Sequence, residues 1–242
     1  MTSMTSGWGQ HGYEVAFDWG ATGAAQVMSA GAILVVVDVL SFSSSVCVAV
    51  ERGTAVYPTF WRDERAAELA ARVGAVLAVG RREATPESPW SLSPTALRSA
   101  EVIPRLVLPS PNGSAIAAVE REATVIAACL RNADAVGEWV VRQLPERKRV
   151  CVIAAGERWP DESLRPALED ALGARTERRR LRRRRIHRAR TEQQCSRSRV
   201  VARCVPRSDE LTARMDSGYG DPLVMRIESA VRQSAAEQAR IA

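Results

Sequence analysis

The chain has 242 residues, 46% of them hydrophobic and 26% charged, the balance of an ordinary soluble protein rather than of a disordered or membrane-embedded one. Its longest apolar stretch, Ala32 to Val37, is far shorter than the roughly 20 residues that span a bilayer, and Met1 to Gln10 lacks the basic start and apolar run of a secretory signal, so cytoplasmic residence is the expectation. The formal charge of +6 is local: Arg175 to Arg207 holds 14 arginines against Glu177 and Glu192, a window of +12 that leaves −6 on the remainder, and a general affinity for nucleic acid does not follow.

In chain order, Tyr13 to Phe17 alternates as a strand does, and glycines follow at Gly20 and Gly23. Ile33 to Val37 is a continuous, mostly β-branched run, which a strand buried on both faces requires. Ser43 to Arg52 reads as a helix closed by Gly53. Ala55 to Tyr57 is a short strand stopped by Pro58. Asp63 to Val73 is a helix with Ala66, Leu69, Ala70 and Val73 on one face. Gly74 ends it, and Val76 to Val79 is the next strand. Gly80 to Pro94 is a polar loop. Leu106 to Leu108 is a strand running into Pro109-Ser110-Pro111-Asn112-Gly113-Ser114, with a helix expected over about 115–121. Thr124 to Cys129 is a strand, Asn132 caps a helix over 133–144, and Val150 to Ala154 is a strand. A helix is expected over 164–172, which Pro166 can begin, and another after Asp221-Pro222 with Leu223, Val224, Ile227 and Val231 on one side.

Strands alternating with helices predict an α/β domain over residues 12–174, with a mostly parallel or mixed sheet and helices on both faces. An arginine-rich segment, 175–207, and a C-terminal helical segment, 208–242, would follow. The arginine block has no apolar periodicity. A binding arm and a solvated tail are two readings of it, and a translated frameshift is the third and preferred one. The chain has one lysine against 33 arginines, as a GC-rich gene gives, and a one-base shift there turns alanine and glycine codons into arginine codons. Five cysteines show no CxxC or Cys/His ligand spacing, so no structural zinc is expected, and Cys47, Cys129 and Cys151 read as core residues.

In such sheets ligands bind at the carboxyl ends of the strands. That rule selects four loops: 38–45, 80–94, 109–114 and 155–158. In the first, Asp38 ends a buried strand, and Ser41, Ser43, Ser44 and Ser45 follow at a helix start whose free N–H groups can hold an anion. An acid beside an anion site suits a bridging divalent metal. The bland alternative is that Asp38 bonds a neighbouring loop and the serines cap a helix. Strand-Asp phosphatases with an aspartyl nucleophile carry a second acid two residues on, where Leu40 stands, so Asp38 reads first as a metal ligand or orienting group. In the third loop, Asn112-Gly113 can turn N–H groups toward a ligand. Glu157 and the pair Glu169-Asp170 are candidate metal ligands, and Arg81 could clamp a phosphate or sulfonate. His11 and His187 sit in a polar tail and in the arginine block, so nucleophilic schemes built on histidine lack support and an activated water suits the inventory better.

Taken together, VVVDVLSFSSSV at 35–46, VGRRE at 79–83, WSLSP at 90–94, LPSPNGS at 108–114, LRNA at 130–133, AAGE at 154–157 and LED at 168–170 resemble, in order and spacing, the 2-phosphosulfolactate phosphatase family. The resemblance implies a three-layer α/β/α fold, Mg2+ and hydrolysis of a small acidic phosphomonoester. It makes Asp38, Ser41, Ser43 and Ser44 candidate catalytic residues. Ser45, Arg81, Ser93, Asn112, Gly113, Ser114 and Asn132 become candidates for holding the substrate, and Asp38, Glu157, Glu169 and Asp170 for holding the metal. The partner would be a small anionic phosphorylated metabolite, with no membrane; a homodimer is left open. The alternative is a non-catalytic member that binds such a metabolite. The family pattern has arginine where Ser41 stands, Gly-Glu-Arg at 80–82 and Asn-Ser-Pro at 92–94.

Overall fold

The structure is a computed structural model that describes residues 9–10, 12–119, 123–144, 149–188, 202–205 and 224–227. The elements run β1 (Val15–Trp19), α1 (Gly20–Val27), β2 (Ile33–Val37), α2 (Phe42–Glu51), β3 (Ala55–Thr59), α3 (Glu64–Val73) and β4 (Val76–Leu77). They continue with α4 (Pro94–Ser99), β5 (Arg105–Pro109), α5 (Gly113–Ala117), β6 (Thr124–Ala128), α6 (Ala133–Gln143) and β7 (Val150–Ala154). Last come β8 (Glu157–Arg158), β9 (Leu164–Arg165), α7 (Leu168–Arg188), β10 (Ala202–Val205) and β11 (Val224–Ile227).

A nine-stranded sheet in the order β1-β7-β2-β6-β10-β11-β3-β5-β4 forms the middle layer. Pairings β1–β7, β7–β2, β2–β6, β3–β5 and β5–β4 are parallel. β10 and β11 pair antiparallel with each other, β10 with β6 and β11 with β3. The sheet is therefore mixed.

β2 shows why its sequence is apolar without alternation. Leu34 and Val36 pack on one side with Val27 and Val46, while Ile33, Val35 and Val37 pack on the other with Val136 and Val140. Helices α1, α2 and α5 cover the first face and α6 and α7 the second, giving the three layers. Cys47, Cys129 and Cys151 are buried and free. Among the described residues no helix is long and apolar enough to cross a membrane.

Three sequence expectations are corrected. Leu164 belongs to a two-stranded hairpin, β8–β9, and the helix begins at Leu168, because Leu164 and Arg165 pair with Arg158 and Glu157. Val224–Ile227 is a strand rather than part of a helix, since its backbone hydrogen-bonds β10; the rest of that stretch lies outside the described residues. The helix after Asn112 is shorter and starts earlier, at Gly113. In addition, α7 runs unbroken across residue 174 to Arg188. There Ala174, Glu177 and Leu181 recur on its buried side, Arg180 pairs with Asp134, and the Arg178 guanidinium lies 5.4 Å from the Phe17 ring centroid.

Glu177 is out of character in that stripe. Its side chain is buried, and neither carboxylate oxygen has a hydrogen-bond partner among the described residues. Burial holds its carboxyl well above the usual glutamate range. A raised acid is neutral and harmless below the unfolded value and costs stability as pH climbs toward and through the folded one. Glu177→Met is therefore expected to raise the melting temperature, by about 1–4 kcal/mol of stability, with a larger gain at pH 8 than at pH 5, measured by thermal unfolding across that range.

Candidate active site

A cavity of about 610 Å³ opens at the carboxyl ends of the strands. Asp38, Arg62, Arg81, Arg82, Glu83, Asn112 and Glu157 supply its charged and amide side chains.

Asp38 follows the last residue of β2 and is only 6% exposed. Its Oδ1 accepts from Phe42 N at 2.9 Å and its carbonyl from Ser43 N at 2.9 Å, so the aspartate itself tethers the start of α2. The Gly113 N–H also bonds the carboxylate. Its own N–H donates to Ser43 Oγ at 3.2 Å, and that hydroxyl donates to Val36 O. Burial pushes the Asp38 carboxyl up to about 7, against its backbone hydrogen bond from Phe42; the nearby charges of Asp170 and Glu157 add to the rise.

Gly113 matters through contact. A Cβ there would sit 2.2 Å from Phe42 Cδ1 and 2.9 Å from Asp38 Oδ2, well inside normal contact distances. Glycine is what lets α5 come close enough to give its N–H to Asp38. Asn112 beside it donates from Nδ2 to Glu157 Oε2 at 3.3 Å, joining the β5 and β7 loops across the cavity.

Asp170 lies off the cavity wall. Its Oδ1 accepts from Val39 N at 2.7 Å and its Oδ2 from Gly156 N at 2.9 Å, so α7 ties together the ends of β2 and β7. Burial pushes this carboxyl up to about 6, with the charges of Glu169 and Glu157 contributing. Among the described residues no group of three or more His, Cys, Asp or Glu is arranged to hold a metal. The four acids expected from sequence thus reduce to the two that share the cavity, Asp38 and Glu157. Two carboxylates still fit Mg2+, which takes one or two together with waters and substrate phosphate oxygens.

The candidate serines lie off the cavity wall as well. Ser41 Oγ donates to Leu92 O at 2.9 Å and accepts from Arg81 Nη2. Ser44 Oγ donates to Val39 O at 2.7 Å. Ser43 is spent on Asp38 and Val36 as above. Ser45 and Ser114 are fully buried with hydroxyls that find no partner among the described residues. Ser93 caps α4 by accepting from Ala96 N, and Asn132 bonds Ala127 O and Cys129 N within its own loop. None of these residues lines the cavity, nor does Glu169. For Ser41, Ser43, Ser44, Ser93 and Asn132 the physical reason is shared: a small hydroxyl or amide at a helix start is claimed by a backbone group before it can reach a ligand.

Arg62 and Ser110 line the cavity but were not among the candidates. Ser110 lay inside a motif already singled out. Arg62 could have been found by the same rule that selected the other loops, because it follows the carboxyl end of β3.

The family model described as 2-phosphosulpholactate phosphatase matches residues 23–217 of the chain. No curated protein matches it.

Proposed function

The chain belongs to the 2-phosphosulpholactate phosphatase family, and we propose that it hydrolyses a small acidic phosphomonoester in the cavity built on Asp38. The observation that carries the reading is the meeting of three carboxylates, one amide and three guanidinium groups in that one space at the strand ends.

Arg81 is fixed for anion binding. Its Nε donates to Leu92 O at 2.7 Å and its Nη2 to Ser41 Oγ, so the guanidinium is held at the cavity wall, in no ion pair among the described residues. In this reading Arg81 and Arg82 hold the phosphoryl oxygens. Asn112, oriented by Glu157, donates to charge that develops on them. Since the hydroxyls of Ser41, Ser43 and Ser44 already bond backbone carbonyls, water is the attacking group, and the Asp38 carboxylate orients it and accepts its proton. Mg2+, when bound, would be held by Asp38 and Glu157 and would neutralise phosphoryl charge.

The test is release of inorganic phosphate from 2-phosphosulfolactate, 2-phospholactate, phosphoglycolate and 3-phosphoglycerate, each with Mg2+ and with chelator. Turnover that needs the metal is expected for at least one ester. Tight binding of these esters with no turnover under any condition would overturn the proposal in favour of a non-catalytic binder.

A further inference from the structure

We infer that Arg62 selects the substrate by holding its second anionic group, a carboxylate or sulfonate, in the cavity it shares with Asp38. This rests on the phosphatase reading and names a specificity residue within it. The cavity draws on both parts of the sheet: Asp38 and Glu157 follow β2 and β7, whereas Arg62 follows β3 on the other side of the β10–β11 pair. At about 610 Å³ it is several times larger than a phosphoryl group, so a phosphate held by Arg81 and Asn112 beside Asp38 leaves room in it for the rest of the molecule.

The acids nearest Arg62 and Arg81 in sequence, Asp63 and Glu83, are bonded elsewhere. Asp63, the acid next to Arg62, is taken by Arg65, whose Nε and Nη2 reach its two oxygens at 3.0 and 2.6 Å. Glu83 accepts from Gly80 N. Arg81, oriented by Ser41 and Leu92, is assigned to the phosphoryl oxygens. Arg62 has no hydrogen bond or ion pair among the described residues, and its guanidinium can present a planar pair of donors to a carboxylate or sulfonate.

The experiment compares kcat/KM for phosphoglycolate and for ethyl phosphate, which lacks the carboxylate, in wild type, Arg62→Gln and Arg62→Lys. The wild type should prefer the acid ester. That preference should fall about 10- to 100-fold in R62Q through KM, the size of a charge-assisted contact, and recover in part in R62K. A preference unchanged in R62Q overturns the inference. A binding measurement independent of turnover uses the non-hydrolysable pair phosphonoacetate and methylphosphonate: phosphonoacetate should bind tighter to wild type, and R62Q should erase the difference. Equal affinities in wild type would also overturn it. If phosphonoacetate is preferred through Arg62 while no ester is hydrolysed, the phosphatase reading fails and the role of Arg62 stands.

Discussion

Asp38→Asn should cut turnover of the acid phosphomonoester by about 10³-fold while making the metal-free protein more stable above pH 7. The two effects have one cause. Burial raises the Asp38 carboxyl from 3.8 to about 7, so the folded state favours the neutral form. Its contribution to stability is complete below the unfolded value near 4 and is lost as pH rises through 7. A shift of that size amounts to about 4 kcal/mol at alkaline pH, part of which asparagine gives back because its amide can meet the Gly113 N–H donor-to-donor. Thermal unfolding in chelator from pH 5 to 8 should show a falling melting temperature for wild type and a flatter one for D38N. Added Mg2+ should stabilise wild type at pH 8 and leave D38N unmoved. A melting curve of D38N that parallels the wild type at every pH would mean that Asp38 is not the buried acid described above.

Gly113→Ala should lower both stability and turnover. The new Cβ would lie 2.2 Å and 2.6 Å from Phe42 Cδ1 and Cγ, and Phe42 is itself fully buried at the start of α2. Neither side can yield cheaply, since Phe42 sits in the core and α5 is joined to β5 by a short turn. Overpacking of this kind costs about 1–3 kcal/mol, and relief by moving α5 outward would withdraw the Gly113 N–H from Asp38. Denaturant unfolding should give a lower midpoint, and turnover should fall even where the protein remains folded. Retention of both would show that the approach of α5 to α2 is looser than described.

Much of this was legible in the residues. The unbroken apolar run Ile33–Val37 could only be a strand covered on both sides, and the short helix–strand alternation fixed a layered α/β fold before any contact was known. Asp38, Arg81, Asn112 and Glu157 were reachable because a polar residue just past a buried strand has nowhere to go but the sheet edge. What could not be read was which polar groups the backbone would consume. The serines after Asp38 look like an anion cradle, yet Asp38 tethers α2 itself and leaves Ser43 and Ser44 to bond carbonyls. Asp170 looked like a metal ligand for the same reason, because spacing along a helix does not reveal that two backbone amides 14 and 131 residues away will occupy its oxygens. Leu164 and Arg165 were hidden by competition between local and tertiary preference: a stretch that can start a helix instead pairs with the β8 strand across a tight turn.

The most direct test of the central claim is inorganic phosphate release from phosphoglycolate and 2-phosphosulfolactate by the full chain with Mg2+, run beside D38N. Wild type should turn over at least one of them, and D38N should hydrolyse the same ester about 10³-fold more slowly. Equal rates from the two proteins, or none from a wild type that binds these esters, would contradict it.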